Sequence, residues 1–171
     1  MKKRLGISGM VLLCLGLAAL AYTQTGSPVS TTAVQKGAVM AHASGPFEVK
    51  LVPQTDSAGD PTLGRMTIDK QYHGDLEATS KGQMLTAMAD VKGSGVYVAV
   101  ERVNGTLHGR NGTFALHHTG IMTRGVPQLS ITVVPDSGTG QLVGLTGKMD
   151  ITIVDGKHSY DFEYTLPDAQ K

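Results

Sequence analysis

The stretch MDITIVDGKHSYDFEYTL, residues 149–166, decides the fold class of this chain. Polar and apolar side chains alternate along both of its halves, which is the period of a β-strand with one buried face. Between the halves stands Asp155-Gly156, a pair that tolerates positive φ at both central positions of a two-residue turn. The stretch therefore predicts two antiparallel strands joined by a tight hairpin.

The same alternation recurs over most of residues 46–167, in segments rich in Val, Ile, Thr and Tyr. Ser80–Ala89 allows either a strand or a short helix, and we favour a strand because Gly82 would lie in the first turn of the helix. The other predicted strands are Phe47–Leu51, Met66–Asp69, Val96–Val103, Thr113–His118 and Leu129–Val134.

Turn signals separate these segments. Asn104-Gly105 and Asn111-Gly112 each predict a tight hairpin, and Pro135–Gly138 predicts a further turn. About seven or eight short strands in succession form an antiparallel meander, whose edges disappear when the sheet closes on itself. We therefore predict an all-β fold, a small closed antiparallel β-barrel; a two-sheet sandwich is the alternative.

The N-terminus has the composition of an export signal. Basic residues at positions 2–4 precede an apolar run over 5–20, and Ala19-Leu20-Ala21 fits a small-x-small cleavage site. We predict a signal peptide over residues 1–21 and hence a periplasmic or secreted protein. The alternative is an uncleaved anchor helix, for which the apolar run is short.

The rest of the chain divides into three predicted parts. Residues 22–45 are rich in Thr, Ser, Ala and Gly and lack periodicity, as in a flexible tether. The barrel domain is predicted over 46–167, and residues 168–171 form a C-terminal tail.

Cleavage after Ala21 would change the charge of the chain. It removes three of the 15 Lys and Arg and none of the 14 Asp and Glu, so the net charge falls from +1 to −2. The single cysteine, Cys14, leaves as well, so the exported fold would contain no disulfide. A nucleic-acid partner, which needs a basic face, loses its support, and we expect no membrane contact after cleavage.

Two charged residues, Glu101 and Arg102, directly follow the apolar run VYVAV at residues 96–100. Alternation places Tyr97 and Glu101 on one face of this strand and Arg102 on the other, so one charge must approach the barrel interior. An unpaired buried charge costs on the order of several kcal/mol, so it needs a partner or faces a ligand cavity. A structural ion pair and a catalytic role are both open to it.

Glu101 is the first catalytic candidate because it stands in the most apolar strand. His118 is the second because it ends the apolar face formed by Phe114 and Leu116. Tyr97 could donate a hydrogen bond from the Glu101 face. The candidates for ligand binding or charge pairing are Tyr97, Arg102, Arg124, Glu77 and Glu163, with Asp75 as a further partner for the buried charge.

Motifs for metals, cofactors and nucleophiles are weak or missing. His117 and His118 are neighbours on a strand and point to opposite faces, so they cannot share a metal ion. Gly138-Thr139-Gly140 is similar to a dinucleotide loop, but Gly144 and Gly147 deny it the helix that would face a pyrophosphate. No Gly-x-Ser-x-Gly sequence occurs. We predict no metal and no cofactor.

Four segments together resemble the bacterial family called domain of unknown function 3224: GDLEATS at 74–80, GSGVYVAVER at 93–102, GTLHGR at 105–110 and VVPDSGTG at 133–140. The resemblance covers residues 46–167, and His118 matches a histidine of the family. It implies a small antiparallel barrel similar to those of allene oxide cyclase and the dirigent proteins. It implies no activity, because the family has none assigned.

Two classes of function agree with these observations. The first is an exported binding module that holds a small apolar ligand or another protein, since a small barrel can enclose one small ligand. The second is an isomerase- or cyclase-like enzyme acting on a small apolar substrate, which the resemblance to allene oxide cyclase suggests by fold analogy alone. We favour the binding module. Whether copies associate into a homo-oligomer is left open.

Overall fold

The structure is a computed structural model that describes residues 40–55 and 59–167. Its strands follow one another round a closed antiparallel barrel, in which each strand pairs with its neighbour in sequence and the last pairs with the first. The predicted closed barrel is confirmed. The strands are β1 (Met40–Pro53), β2 (Leu63–Tyr72), β3 (Leu76–Met88), β4 (Gly95–Leu107), β5 (Arg110–Thr123), β6 (Val126–Val133), β7 (Thr146–Val154) and β8 (Lys157–Thr165).

Pairing between β1 and β8 closes the barrel, with a register that begins at Met40 opposite Thr165. The shortest pairing between neighbouring strands is that of β6 and β7, which consists of Thr132 opposite Lys148. The connection between these two strands contains a short 3₁₀ helix, Gly140–Leu142. Closure pairs the other strands along both edges, whereas β6 and β7 share one residue pair and leave most of their facing edges unpaired.

Side chains alternate between the interior and the solvent along the strands. In β3, Leu76, Ala78 and Ser80 are buried, and the residues between them are exposed. In the core, the rings of Phe114 and Phe162 stack with their centroids 5.9 Å apart. The other large buried apolar residues are Phe47, Ile68, Tyr72, Leu76, Val103, Leu107, Leu116, Ile131, Val133, Leu142, Leu145, Met149, Tyr160, Tyr164 and Leu166.

Two local predictions are confirmed. The turn between β7 and β8 is Asp155-Gly156, with φ of 50° and 76°, as a two-residue hairpin of this composition requires. Residues 80–88 continue β3 and form no helix. Pairing with both β2 and β4 outweighs the weak helical pattern of this segment.

The two Asn-Gly hairpins predicted at 104–105 and 111–112 are wrong. Both pairs lie inside strands, with Gly105 directly opposite Gly112 in the β4–β5 register, and the turn is His108-Gly109. A Cβ atom on Gly105 would lie 2.2 Å from the carbonyl oxygen of Glu77, and one on Gly112 would lie 2.1 Å from that of Thr139. These glycines therefore allow a close approach of backbones instead of a turn.

The domain boundary predicted between residues 45 and 46 also needs correction. Residues 40–45 belong to β1 and pair with β8, so the described barrel begins by Met40. The sequence hid this because Gly45, which contacts the backbone of His73, interrupts the apolar alternation. The predicted signal peptide, the tether up to residue 39 and the tail over 168–171 lie outside the described residues. Among those described, no helix has the length and apolar character to cross a membrane.

Candidate functional site

The two ends of the barrel interior differ. At the closed end, where β4 passes into β5, Leu107 is fully buried and Leu142 lies against Gly112. At the open end, where β3 and β5 finish, the inward-facing side chains stay accessible: Met88 is 58% exposed and Leu129 is 40% exposed. Apolar side chains that face inwards and remain exposed are typical of the mouth of a ligand cavity.

A cavity of about 400 Å³ occupies the open end. None of the described residues that line it is charged, and most are apolar, such as Met88 and Leu129. Across four neighbouring strands, Thr86, Tyr97, Gly120 and Leu129 lie side by side in the sheet register. We call these four residues the cavity row.

The rows below the cavity row contain the first two catalytic candidates. One step towards the closed end, Ala99 pairs with His118; one step further, Glu101 pairs with Leu116. A step of two residues along a strand is about 7 Å. His118 therefore lies one row below the cavity row, and Glu101 lies two rows below it.

Glu101 stands at the centre of a buried polar cluster. Its Oε1 accepts hydrogen bonds from Lys70 Nζ at 2.9 Å, from His118 Nε2 at 2.9 Å and from the Tyr72 hydroxyl at 3.1 Å. Its Oε2 accepts one from the Ser80 hydroxyl at 2.6 Å. We call these five residues the Glu101 cluster. All of them are buried, so four strands, β2 to β5, meet at one carboxylate.

The partners of Glu101 keep it ionised. Burial alone would raise its pKa, but the hydrogen bond from His118, the positive charge of Lys70 and the charge of His118 outweigh burial and lower the pKa to about 2. For Tyr72 the effects run the other way, because desolvation and the negative charge of Glu101 both raise its pKa. The cluster thus combines a carboxylate anion with a neutral phenol.

The contact with Glu101 also determines which tautomer the neutral form of His118 adopts. An ionised carboxylate can only accept, so His118 Nε2 carries the proton of this hydrogen bond. No described residue forms a hydrogen bond with the other ring nitrogen, Nδ1, and no buried side-chain nitrogen or oxygen atom in the described part lacks a partner. Nδ1 therefore reaches accessible space, one row below the cavity row.

Tyr97 links the cavity to the cluster. It lines the cavity, and its pKa is raised by desolvation and by the charge of Glu101. Its ring lies across Gly120: a Cβ atom on Gly120 would lie 2.0 Å from Tyr97 Cε1. In the same way, a Cβ atom on Gly82 would lie 2.7 Å from that of Glu101. Two inward-facing glycines therefore leave the space that Tyr97 and Glu101 occupy.

The structure brings Glu101 and His118 together and leaves Tyr97 near them. It separates the other candidates from the cluster. Arg102 faces outwards and donates to the carbonyl oxygen of Ser137 at 3.1 Å, and Arg124 lies in the exposed turn between β5 and β6 with φ of 50°. Arg102 points away because it directly follows inward-facing Glu101 on the same strand. Arg124 is separated from the cluster because it lies in a hairpin turn.

The acidic candidates also lie away from the cluster. Glu77 is exposed and accepts a hydrogen bond from the backbone N–H of Gly74, and Glu163 pairs with Lys148 on the outer face. Asp75 accepts a hydrogen bond from the backbone N–H of Ser44, which lowers its pKa. Each of these carboxylates has a local partner at the surface, so none is needed to balance the buried charges.

Sequence reasoning missed three members of the Glu101 cluster. Lys70 and Tyr72 continue the alternation of Met66 and Ile68 along β2. The predicted strand stopped at Asp69 and therefore did not include them. Ser80 lies on the buried face of β3, together with Leu76 and Ala78. A lysine in register with buried apolar residues was the strongest available sign of an internal partner for Glu101.

Among the described residues, no three His, Cys, Asp or Glu side chains converge as metal ligands would. His118 is buried and its neighbour His117 bonds the Thr132 hydroxyl on the outer face, so the two histidines point apart as alternation predicts.

Comparison with known proteins places the chain in one family. The sequence pattern of the family described as "Protein of unknown function (DUF3224)" matches residues 43–164. A crystal structure of a protein of unknown function from this family, from Shewanella oneidensis MR-1, is 48% identical and has a TM-score of 0.70; the match covers 75% of this chain and 98% of that one. No curated protein matches. The chain belongs to the DUF3224 family.

Proposed function

We propose that this protein is a binding module that holds a small, largely apolar molecule in the open end of its barrel. The observation that carries the proposal is the cavity of about 400 Å³ lined by uncharged, mainly apolar side chains. Its size falls within the range of sites for small molecules. A molecule that enters it would cover inward-facing side chains such as Met88 and Leu129, which otherwise face water.

The interior below the cavity supports this proposal because it limits how deeply a ligand can enter. The Glu101 cluster occupies the middle of the barrel and is internally paired, with Lys70 Nζ 2.9 Å from the carboxylate. Breaking such a buried pair to admit a ligand would cost about 3–5 kcal/mol. The ligand is therefore held at the level of the cavity row.

We also propose that the protein is exported and works in the periplasm or outside the cell. The basic residues at positions 2–4, the apolar run over 5–20 and the Ala19-Leu20-Ala21 site support this. The intact mass of the exported protein tests it: cleavage after Ala21 leaves a chain that begins at Tyr22. Recovery of full-length chain in the membrane fraction alone would favour an anchor helix.

Binding is tested with N-phenyl-1-naphthylamine, a neutral dye whose fluorescence rises in apolar surroundings. Leu129→Arg places a charge in the cavity row, and Leu85→Arg is the matched control, because Leu85 is exposed on the outer face of β3 and does not line the cavity. We expect the dye to bind the native protein and Leu85→Arg equally and to lose at least tenfold in affinity for Leu129→Arg. Equal binding to all three proteins, or to none, would contradict the cavity as the site. Native mass spectrometry of protein purified from a bacterial periplasm would then identify a retained ligand by mass.

One observation favours a second candidate, an isomerase- or cyclase-like enzyme acting on a small apolar substrate. His118 Nε2 donates to Glu101, so in the neutral imidazole the lone pair is on Nδ1, one row below the cavity row. An imidazole oriented by a carboxylate is a common general base. In such a reaction, His118 Nδ1 would take a proton from one carbon of the substrate and return it to another.

Proton transfer at carbon is measurable with a simple ketone. In heavy water, the methyl protons of 2-acetylnaphthalene would exchange for deuterium faster in the presence of the native protein than in buffer, and at the buffer rate with His118→Asn. Nuclear magnetic resonance follows the loss of the methyl signal. Exchange at the buffer rate with the native protein would count against the enzyme and leave the binding module as the function.

A further inference from the structure

We propose that the molecule bound in the cavity carries a neutral hydrogen-bond-accepting oxygen, such as that of a ketone or aldehyde, and that the Tyr97 hydroxyl donates to this oxygen. This deepens the proposed function and rests on it. It assigns to an otherwise apolar site the one group that would orient the ligand, since a few placed polar groups commonly set orientation in such cavities.

The first support is a contrast among the tyrosines of the barrel. The hydroxyl of Tyr72 bonds Glu101 at 3.1 Å, that of Tyr160 bonds the carbonyl oxygen of His73 at 3.1 Å, and that of Tyr164 bonds His108 at 2.7 Å. Tyr97 lines the cavity, and no described residue forms a hydrogen bond with its hydroxyl. Since no buried side-chain oxygen in the described part lacks a partner, the Tyr97 hydroxyl is accessible and can donate to a ligand in the cavity.

The second support is the way in which the ring is held. The Tyr97 ring fills the space next to Gly120, where a Cβ atom would come within 2.0 Å of Cε1. Gly120 pairs directly with Tyr97 in the β4–β5 register, and both residues line the cavity. The hydroxyl is therefore placed by packing before a ligand arrives, which reduces the ordering cost of binding.

The third support concerns the charge of the ligand. Desolvation and the negative charge of Glu101 raise the pKa of Tyr97, so its hydroxyl stays protonated and can donate. None of the described residues that line the cavity is a cation, so a carboxylate or phosphate would enter without a counter-charge. A neutral acceptor fits the site, and an anion does not.

The experiment compares 2-acetylnaphthalene with 2-ethylnaphthalene, which have the same rings and nearly the same shape and differ in one carbonyl oxygen. Dissociation constants for the purified full chain are measured by competition with N-phenyl-1-naphthylamine. We expect Tyr97→Phe to weaken the binding of 2-acetylnaphthalene about fivefold and to change that of 2-ethylnaphthalene by less than about twofold, because one net hydrogen bond is lost for the ketone alone.

A second measurement reports on the bond itself. The infrared carbonyl stretching band of 2-acetylnaphthalene should lie at lower wavenumber when the ketone is bound to the native protein than when it is bound to Tyr97→Phe. The Tyr164→Phe variant is the control, because its hydroxyl bonds His108 and does not line the cavity. It should leave the band and both affinities unchanged.

The outcomes separate the two proposals. If both naphthalenes bind and Tyr97→Phe affects neither, or affects both equally, the assignment of Tyr97 is overturned while the binding module stands. If neither compound binds the native protein, the proposed function fails and this inference fails with it. Tyr97→Phe should fold normally, because the hydroxyl has no bond to lose in the described structure; a melting temperature equal to that of the native protein checks this.

Discussion

The closed and open ends of the barrel are made from the same strands with the same alternation, yet one end is packed and the other is hollow. At the closed end, Phe114 stacks on Phe162 and Leu142 adds a buried side chain from outside the strands. At the open end, Leu129 faces inwards but meets a cavity of about 400 Å³. The Glu101 cluster lies between the two.

If the open end binds a ligand as proposed, this difference separates stability from function within one sheet. Buried apolar area at the closed end stabilises the fold, since stabilisation scales with the apolar surface removed from water. The open end contributes less, because side chains such as Met88 and Leu129 remain exposed there. Substitutions at the two ends should therefore have different effects on unfolding, and the following predictions are ordered by the size of that effect.

The largest effect is expected from truncating the core. Phe162→Ala should lower the free energy of unfolding by about 4 kcal/mol, because it removes a fully buried ring and the stacking contact of that ring with Phe114. Leu129→Ala should cost less than about 1 kcal/mol, because its side chain already borders water. Urea denaturation of both variants measures the difference. Equal losses would mean that the open end is packed as densely as the closed end.

A substitution in the Glu101 cluster, between the two ends, should lower the free energy of unfolding by nearly as much. Glu101→Gln leaves the positive charge of Lys70 buried without its partner and should cost about 3 kcal/mol in free energy of unfolding. Glu163→Gln, which breaks the exposed pair with Lys148, is the matched control and should cost less than about 1 kcal/mol. A Glu101→Gln variant as stable as the control would show that the cluster does not support the fold.

The same carboxylate predicts a dependence on pH. Because the pKa of Glu101 is lowered from 4.5 to about 2 in the folded protein, its ionised form stabilises the fold above pH 4.5. That contribution, about 3 kcal/mol, is lost as the pH falls from 4.5 through 2. Subtracting the acid denaturation profile of Glu101→Gln from the native one isolates it. Parallel profiles over this range would contradict the lowered pKa.

The smallest effect should be the same at both ends. Gly109 turns the chain at the closed end and Gly156 at the open end, with φ of 78° and 76°, and a Cβ atom would meet no other residue at either position. Valine at either site should cost about 1 kcal/mol or more through backbone strain alone. Melting temperatures compare the two variants. A clearly larger loss at Gly109 would show that its turn also depends on the packing of the closed end.

Much of the fold could be predicted from local patterns, as particular residues show. The alternation around Tyr97 and Glu101 predicts that one of the two charges after VYVAV turns inwards, and Asp155-Gly156 predicts the last hairpin, because side-chain period and turn conformation depend on neighbouring residues alone. The hairpins predicted at the two Asn-Gly pairs were wrong because a glycine in a strand looks the same in sequence as a glycine in a turn. Only the opposing backbone distinguishes the two, since a Cβ atom added to Gly105 would lie 2.2 Å from it.

The sequence by itself determined the all-β alternation, the family resemblance and the choice of Glu101 and His118 as candidates for the site. Only the tertiary structure decided that Lys70, 31 positions before Glu101, is the charge partner, and that Arg102 is not. It also decided which end of the barrel is filled, since Leu142 reaches the core from a connection outside the strands. The physical reason is that alternation is a local property of the chain, whereas the partner of a buried charge and the filling of a cavity depend on which strands closure brings together.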